Sequence, residues 1–190
     1  MNNRIVERIK EEGLLIEKDH GTQNVFTYHS GRDLITYPAL VDINEPKVIF
    51  SLAHELGHHY QRQCYFPKML DTISRHARSN SIGGLILFPF LFWEEIDAWI
   101  RAWHLCKDAK VSLKGFMKQA STGLLSYVSS FLSRVIVTFV TLYIMTVLIV
   151  NDVEFEVDKN DFIDVSILVF ISLLTLSLFS FTIKGGFNRR

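Results

Sequence analysis

The sequence predicts an α+β domain followed by two transmembrane α-helices, on three observations. Residues 1–126 contain segments with helical apolar spacing around two short runs rich in aromatic and β-branched residues. The same stretch mixes apolar positions with 15 Lys+Arg and 14 Asp+Glu, as a folded soluble head does. Residues 127–190 hold only five basic and six acidic residues, most of them outside two long apolar runs.

Each element can be argued in order. Ile5–Glu12 is amphipathic and ends at Gly13. Asn24–Ser30 and Leu34–Asp42, separated by Ser30-Gly31-Arg32, predict a hairpin of antiparallel strands, with Pro38 demoting part of the second to an edge. Asn44-Glu45-Pro46 supplies a capping Asn, an acid and an early Pro for a helix from about Lys47 to Gln63, punctuated by Pro67. Ile73–Asn80 is basic and polar. Ile82–Trp93 (IGGLILFPFLFW) is apolar but interrupted by a Gly pair and Pro89, and too short to span a bilayer as helix. It predicts either a core segment or a loop dipping into a membrane surface, with Phe88, Phe90, Phe92 and Trp93 as anchors. Trp93–Lys107 reads as a second helix, and Leu113–Ser126 leads into the first long apolar run.

That run, Val135–Val150, has 16 residues without a charge, or 24 counted from Tyr127 with Arg134 as the one interruption. The second, Val165–Ile183, has 19. Each approaches the roughly 20 apolar residues that cross a bilayer as helix, and neither carries the polar stripe of a surface helix. Helices are expected at about 127–150 and 162–183. Lys110, Lys114, Lys118 and Arg134 precede the pair, Lys184, Arg189 and Arg190 follow it, and the acidic segment 151–161 lies between. The positive-inside rule then predicts a two-pass hairpin with the acidic loop outside and the head and both termini cytoplasmic. The charged first residues, MNNRIVERIKEE, lack the apolar core of a signal peptide.

Composition narrows the function. The formal net charge is zero, which argues against bulk nucleic-acid binding, and two cysteines build no disulfide scaffold. The segment His54-Glu55-Leu56-Gly57-His58-His59 carries chemistry. His54 and His58, four residues apart on a helix, project from one face and can occupy two positions of a tetrahedral zinc site. Glu55 is placed to reach water at the open position without ligating, and to accept its proton during attack on a carbonyl. Gly57 in mid-helix costs about 1 kcal/mol relative to Ala, which makes sense where another backbone packs against it. A third ligand is best sought in Trp93-Glu94-Glu95-Ile96-Asp97-Ala98-Trp99, since a Glu there leaves one position open, as catalytic zinc requires. His59 points about 100° away from His58 and reads as a surface or supporting residue. His104 reads as structural or exposed. His76 reads as part of a solvated basic stretch, or as a group that polarises a substrate carbonyl.

HELGHH on a helix with an apolar start, followed by a helix bearing E-x-x-A, resembles the gluzincin-type zinc metallopeptidases, and within them the ImmA/IrrE-like group. The likeness covers roughly residues 34–107 and is specific at those two motifs. It implies a small zincin-like domain in residues 1–126, with helices packed on a short antiparallel sheet, and does not imply the hairpin of residues 127–190. On the group's E-x-E-A-[DN] pattern, Glu95 takes the ligand position, Asp97 the second acidic position and Ala98 the small residue. Trp99 stands where that group has Asp or Asn. Glu94 is the other candidate ligand. Asp97, Glu94 and His59 are candidates to support the ligands from behind, although Asp97 equally suits a helix N-terminus. The expectation is a membrane-anchored, Zn2+-dependent protease with Glu55 as general base and a protein or peptide substrate. The bilayer is its other partner, and no nucleic acid is expected. The alternative is a non-enzymatic zincin-like membrane protein that binds or regulates a partner.

Overall fold

The computed structural model describes residues 4–20, 25–79 and 82–152. The chain divides into two compact units, residues 1–124 and 125–190. In the first, α1 (Arg4–Glu11) buries Ile5 and Ile9, one turn apart. Gly13 ends it at φ +77, where the Gly13 N–H bonds Lys10 O and the Leu14 N–H bonds Ile9 O. Those two bonds satisfy the last carbonyls in a Schellman closure that needs a left-handed residue.

Three strands follow, β1 (Leu15–Asp19), β2 (Thr27–His29) and β3 (Leu34–Pro38), in the order β1-β3-β2. The expected antiparallel pairing of β2 with β3 is present, with Tyr28 opposite Ile35. The sheet is not purely antiparallel, however, because β1 pairs in parallel with β3, Leu15 opposite Leu34. β3 is therefore central and mostly buried rather than an edge. Pro38 is tolerated because it is the strand's last residue, where its missing N–H removes a terminal bond.

The helix α2 (Pro46–Cys64) starts with Pro at its first turn, but Asn44 is not its cap. Glu45 holds the N-cap position without a side-chain bond, while Asn44 donates both its backbone and side-chain N–H groups to Asp42 Oδ1. Pro67 does punctuate the end of α2, and it also opens a further helix, α3 (Pro67–Ala77), whose C-terminal half falls in the stretch 73–80 that the composition marks only as polar and basic. Ile82–Trp93 is not a loop; it leads into the Glu95 helix, with Phe88 and Leu91 buried. It is the first half of one long helix, α4 (Ile82–Asp108), which carries Pro89 in its interior.

After Gly115, at φ +88, comes α5 (Phe116–Asp152). Among the described residues this is the one helix long and apolar enough to cross a membrane, over Phe116–Val147. The second apolar run, residues 165–183, lies outside the described residues.

The core of the first unit gathers Ile5, Ile35, Phe50, Leu56, Trp99 and Phe116. Its main contact is α2 against α4, and Gly57 lies at the crossing. A Cβ built on Gly57 would sit 2.6 Å from the Ala98 carbonyl oxygen, a backbone atom that cannot swing aside. Gly57→Ala should therefore destabilise the fold despite the helix propensity it adds. Overpacking of this kind costs about 1–3 kcal/mol, against the roughly 1 kcal/mol gained over glycine. Denaturant unfolding of the full chain in detergent checks this, and an unchanged or raised midpoint would remove the close crossing from the account.

Candidate metal centre

The crossing of α2 and α4 assembles the site. On α2 the stripe of residues 54, 57, 58 and 61 faces α4, since positions three and four apart share a helical face. On α4, Glu95 lies one turn before Ala98, so the contact that seats Gly57 also brings Glu95 against both histidines.

The donor atoms converge. His54 Nε2 and His58 Nε2 are 3.2 Å apart. Glu95 Oε2 lies 3.3 Å from His54 Nε2 and 3.6 Å from His58 Nε2. Tetrahedral zinc with ligand bonds of about 2.0–2.1 Å holds its donors about 3.3–3.4 Å apart by geometry alone. The observed triangle is thus the size of one face of a zinc tetrahedron. Glu95 is 1% exposed, and its Oε2 is turned to the two imidazole nitrogens, as a ligand oxygen aimed at a shared cation would be. The residues present fit zinc, with a fourth position left for water or substrate. Glu94 does not share that triangle. Its Oε1 approaches the other side of the His58 ring, 4.0 Å from Nδ1.

The orientation of His58 is enforced from behind. The Gln61 side-chain N–H2 donates to the Glu94 carbonyl at 2.6 Å and to Asp97 Oδ2 at 3.0 Å. Both partners are acceptors, so Gln61 must turn its Oε1 to His58 Nδ1, 2.8 Å away. The Nδ1–H then donates to Gln61, leaving Nε2 as the ligating atom. Asp97 is held further by Arg101 Nε at 2.9 Å. It lies in the middle of α4, not near its N-terminus, so it supports His58 through Gln61 rather than answering a helix dipole. Gln61 is absent from the candidates that motif reading yields. Its spacing, three residues beyond His58 on the ligand stripe, is the signal that could have found it.

His54 is supported differently. Trp99 stacks on it at 4.3 Å between ring centroids. The stack holds the ring by its face, while the buried Nδ1, in the ring plane, has no hydrogen-bond partner among the described residues. His59 is buried rather than at the surface, with Nδ1 2.9 Å from Tyr28 Oη and Nε2 2.9 Å from Gln63 Nε2. Tyr28 in turn donates its backbone N–H to Glu55 Oε2 at 2.8 Å, fixing the candidate general base to strand β2. His76 and His104 are exposed.

The electrostatics are those of a site waiting for positive charge. Burial works against a charged His58, but the hydrogen bond and charge of Glu95 prevail, with help from Glu55 and Glu94, and lift His58 to about 9. Burial likewise works against an ionised Glu95, yet the hydrogen bonds from His54 and His58 hold it well below the usual carboxylate range. Burial pushes the Glu94 carboxyl up. No family model matches the chain, and neither does any curated protein or solved structure.

Three outcomes follow from this arrangement. Gln61→Ala should weaken zinc binding by about 10–100-fold while leaving one zinc per chain at saturation, the usual penalty for losing such an orienting bond. Chelator competition on the detergent-solubilised chain measures it. Ligation also requires His58 without its extra proton, so apparent zinc affinity should climb from pH 7 and level off above about 9. The sign reverses for the stability of the metal-free chain. His58 is raised on folding, so its contribution is full below the ordinary value of 6.5 and is lost as pH rises through about 9.

Proposed function

We propose that this chain is a zinc-dependent metallopeptidase of the gluzincin type, ImmA/IrrE-like, anchored in a membrane through its C-terminal apolar segments, with its head on the cytoplasmic side. The observation that carries this reading is the buried triangle of His54 Nε2, His58 Nε2 and Glu95 Oε2 at zinc-ligand spacing. Glu55 stands one residue from the first ligand and outside the triangle. The motif likeness supports the same reading. So do the spanning length of α5 and the basic residues Lys110, Lys114 and Lys118 before its apolar run.

Zinc held by the triad would supply a Lewis acid that acidifies water and polarises a peptide carbonyl. The residues of the chain do the rest. Glu55, oriented by the Tyr28 N–H, accepts a proton from water as its oxygen bonds to the carbonyl carbon. It returns that proton to the amide nitrogen as the C–N bond breaks, so water is consumed and an acid and an amine leave. Gln61 and Asp97 keep His58 turned edge-on to the triangle throughout. Trp99 and the core side chains behind it limit water at the His54 side.

The Glu55→Gln variant should lose about 10²–10⁴-fold in hydrolysis of a peptide library, with its zinc content unchanged, because only proton transfer is removed. Cleavage at the wild-type rate would overturn the assignment. Zinc binding with no hydrolysis by either protein would favour the partner-binding module.

A further inference from the structure

Resting on the proposed membrane anchorage, one face of the head takes on a meaning of its own. Along α4, Ile86, Phe90 and Trp93 follow at intervals of four and three residues and so share one face. All are exposed, Phe90 by 59% and Trp93 by 64%. Across from them, Tyr65, Phe66 and Met69 at the junction of α2 and α3 are exposed as well, Phe66 by 78%. The two groups are neighbours. Tyr65, Met69, Phe90 and Trp93 line a single cleft of about 170 Å³ together with Leu70 and Ile73. A soluble surface scatters such side chains singly; here they gather around an apolar cleft.

Among the described residues, the exposed charges around this face that lack a counter-ion close by are mostly cationic. Glu94 and Asp97 line the cleft, but Glu94 is buried and Asp97 is held by Arg101; the other charged residues from 64 to 92 are Lys68, Arg75 and Arg78 against Asp71. Asp71 is engaged by Arg62 of α2, while the three cations are exposed. Arg78 Nη2 also lies 3.9 Å from Glu95 Oε1, which still leaves its side chain largely in solvent. Aromatic and aliphatic side chains flanked by long cationic ones match the boundary of an anionic leaflet, apolar below and phosphate above.

We propose that this face docks on an anionic bilayer surface, with Phe90 and Trp93 entering the headgroup–acyl boundary and Lys68, Arg75 and Arg78 meeting lipid phosphates. The cleft then fills with acyl carbon rather than water. Gln61 and Glu94 are walls of the same cleft and also contact His58 from behind the metal triangle. The bilayer therefore lies against the wall of the metal centre, and the substrate class is a protein segment at or just outside the membrane surface.

The test uses the full chain in vesicles, with a spin label at Phe90→Cys or, separately, at Trp93→Cys, in a Cys64→Ser background. Cys64 is the exposed thiol and Cys106 is buried. Vesicles of phosphatidylcholine with phosphatidylglycerol should protect both labels severalfold from an aqueous nickel chelate while oxygen collisions rise. A label at exposed Lys10 should stay fully accessible. Protection should fall severalfold in pure phosphatidylcholine and in a Lys68→Glu, Arg75→Glu variant. A vesicle-bound chain whose labels at 90 and 93 are as open as that at 10 overturns this proposal alone. Protection that follows protein density rather than lipid charge also overturns it, in favour of a second copy of the chain on this face. A chain that does not float with the vesicles overturns the anchorage and this proposal together.

Discussion

The close passage of α2 over α4 at Gly57 and Ala98 is the constraint on which the site depends. A Cβ at Gly57 would meet the Ala98 carbonyl oxygen at 2.6 Å, so the crossing needs the one residue that has none. His54 and His58 stand on the same stripe of α2 as Gly57, and Glu95 stands one turn before Ala98. The helix spacing therefore sets the distance from the carboxylate to the imidazoles. A wider crossing would open the 3.3 and 3.6 Å edges of the triangle beyond what one ion can bridge. The glycine that weakens α2 as an isolated helix is the residue that makes the three donors converge.

The same geometry explains the charges. A carboxylate and two imidazoles taken out of water together pay a desolvation penalty that hydrogen bonding only partly offsets. Without a metal, the group answers by keeping a proton: His58 is lifted to about 9 and Glu95 stays ionised. That proton does in small what a divalent cation does fully, since it neutralises Glu95 while Gln61 and Asp97 keep the His58 ring in place. Metal binding by the proposed triad would then be an exchange of cations in a site that the fold has already shaped. Tyr28 and His59 extend the order to the other side of α2, where the backbone of β2 holds Glu55.

How much of this was legible in the sequence depended on how local the cause was. The HExxH spacing, the meaning of Gly57 and the pairing of β2 with β3 across a Gly-containing turn all arise within a few residues, and the structure contains them. The parallel strand β1 was not legible, because LIEKD has no alternation to display and gains its partner from residues far along the chain. α3 was hidden by its charge, since only its inner face packs. Pro89 read as a break, yet α4 runs through it; tertiary packing of Phe88 and Leu91 beside it holds the helix together. In the site, the third ligand was narrowed to two adjacent glutamates, and only the crossing places Glu95 rather than Glu94 on the Nε2 side of His58. The role of Gln61 emerges only in the fold, because a buried amide acquires it from both of its neighbours.

The central claim is that two imidazoles and one carboxylate of this head hold a zinc ion. X-ray absorption at the zinc edge, on the full chain loaded with one equivalent of zinc in detergent, tests it most directly. The account predicts a four-coordinate ion with imidazole scattering from two histidines and nitrogen or oxygen donors only, at about 2.0–2.1 Å. The Glu95→Gln variant should lose that signature. A sulfur shell at about 2.3 Å, a single imidazole, or an unchanged spectrum in Glu95→Gln would contradict it.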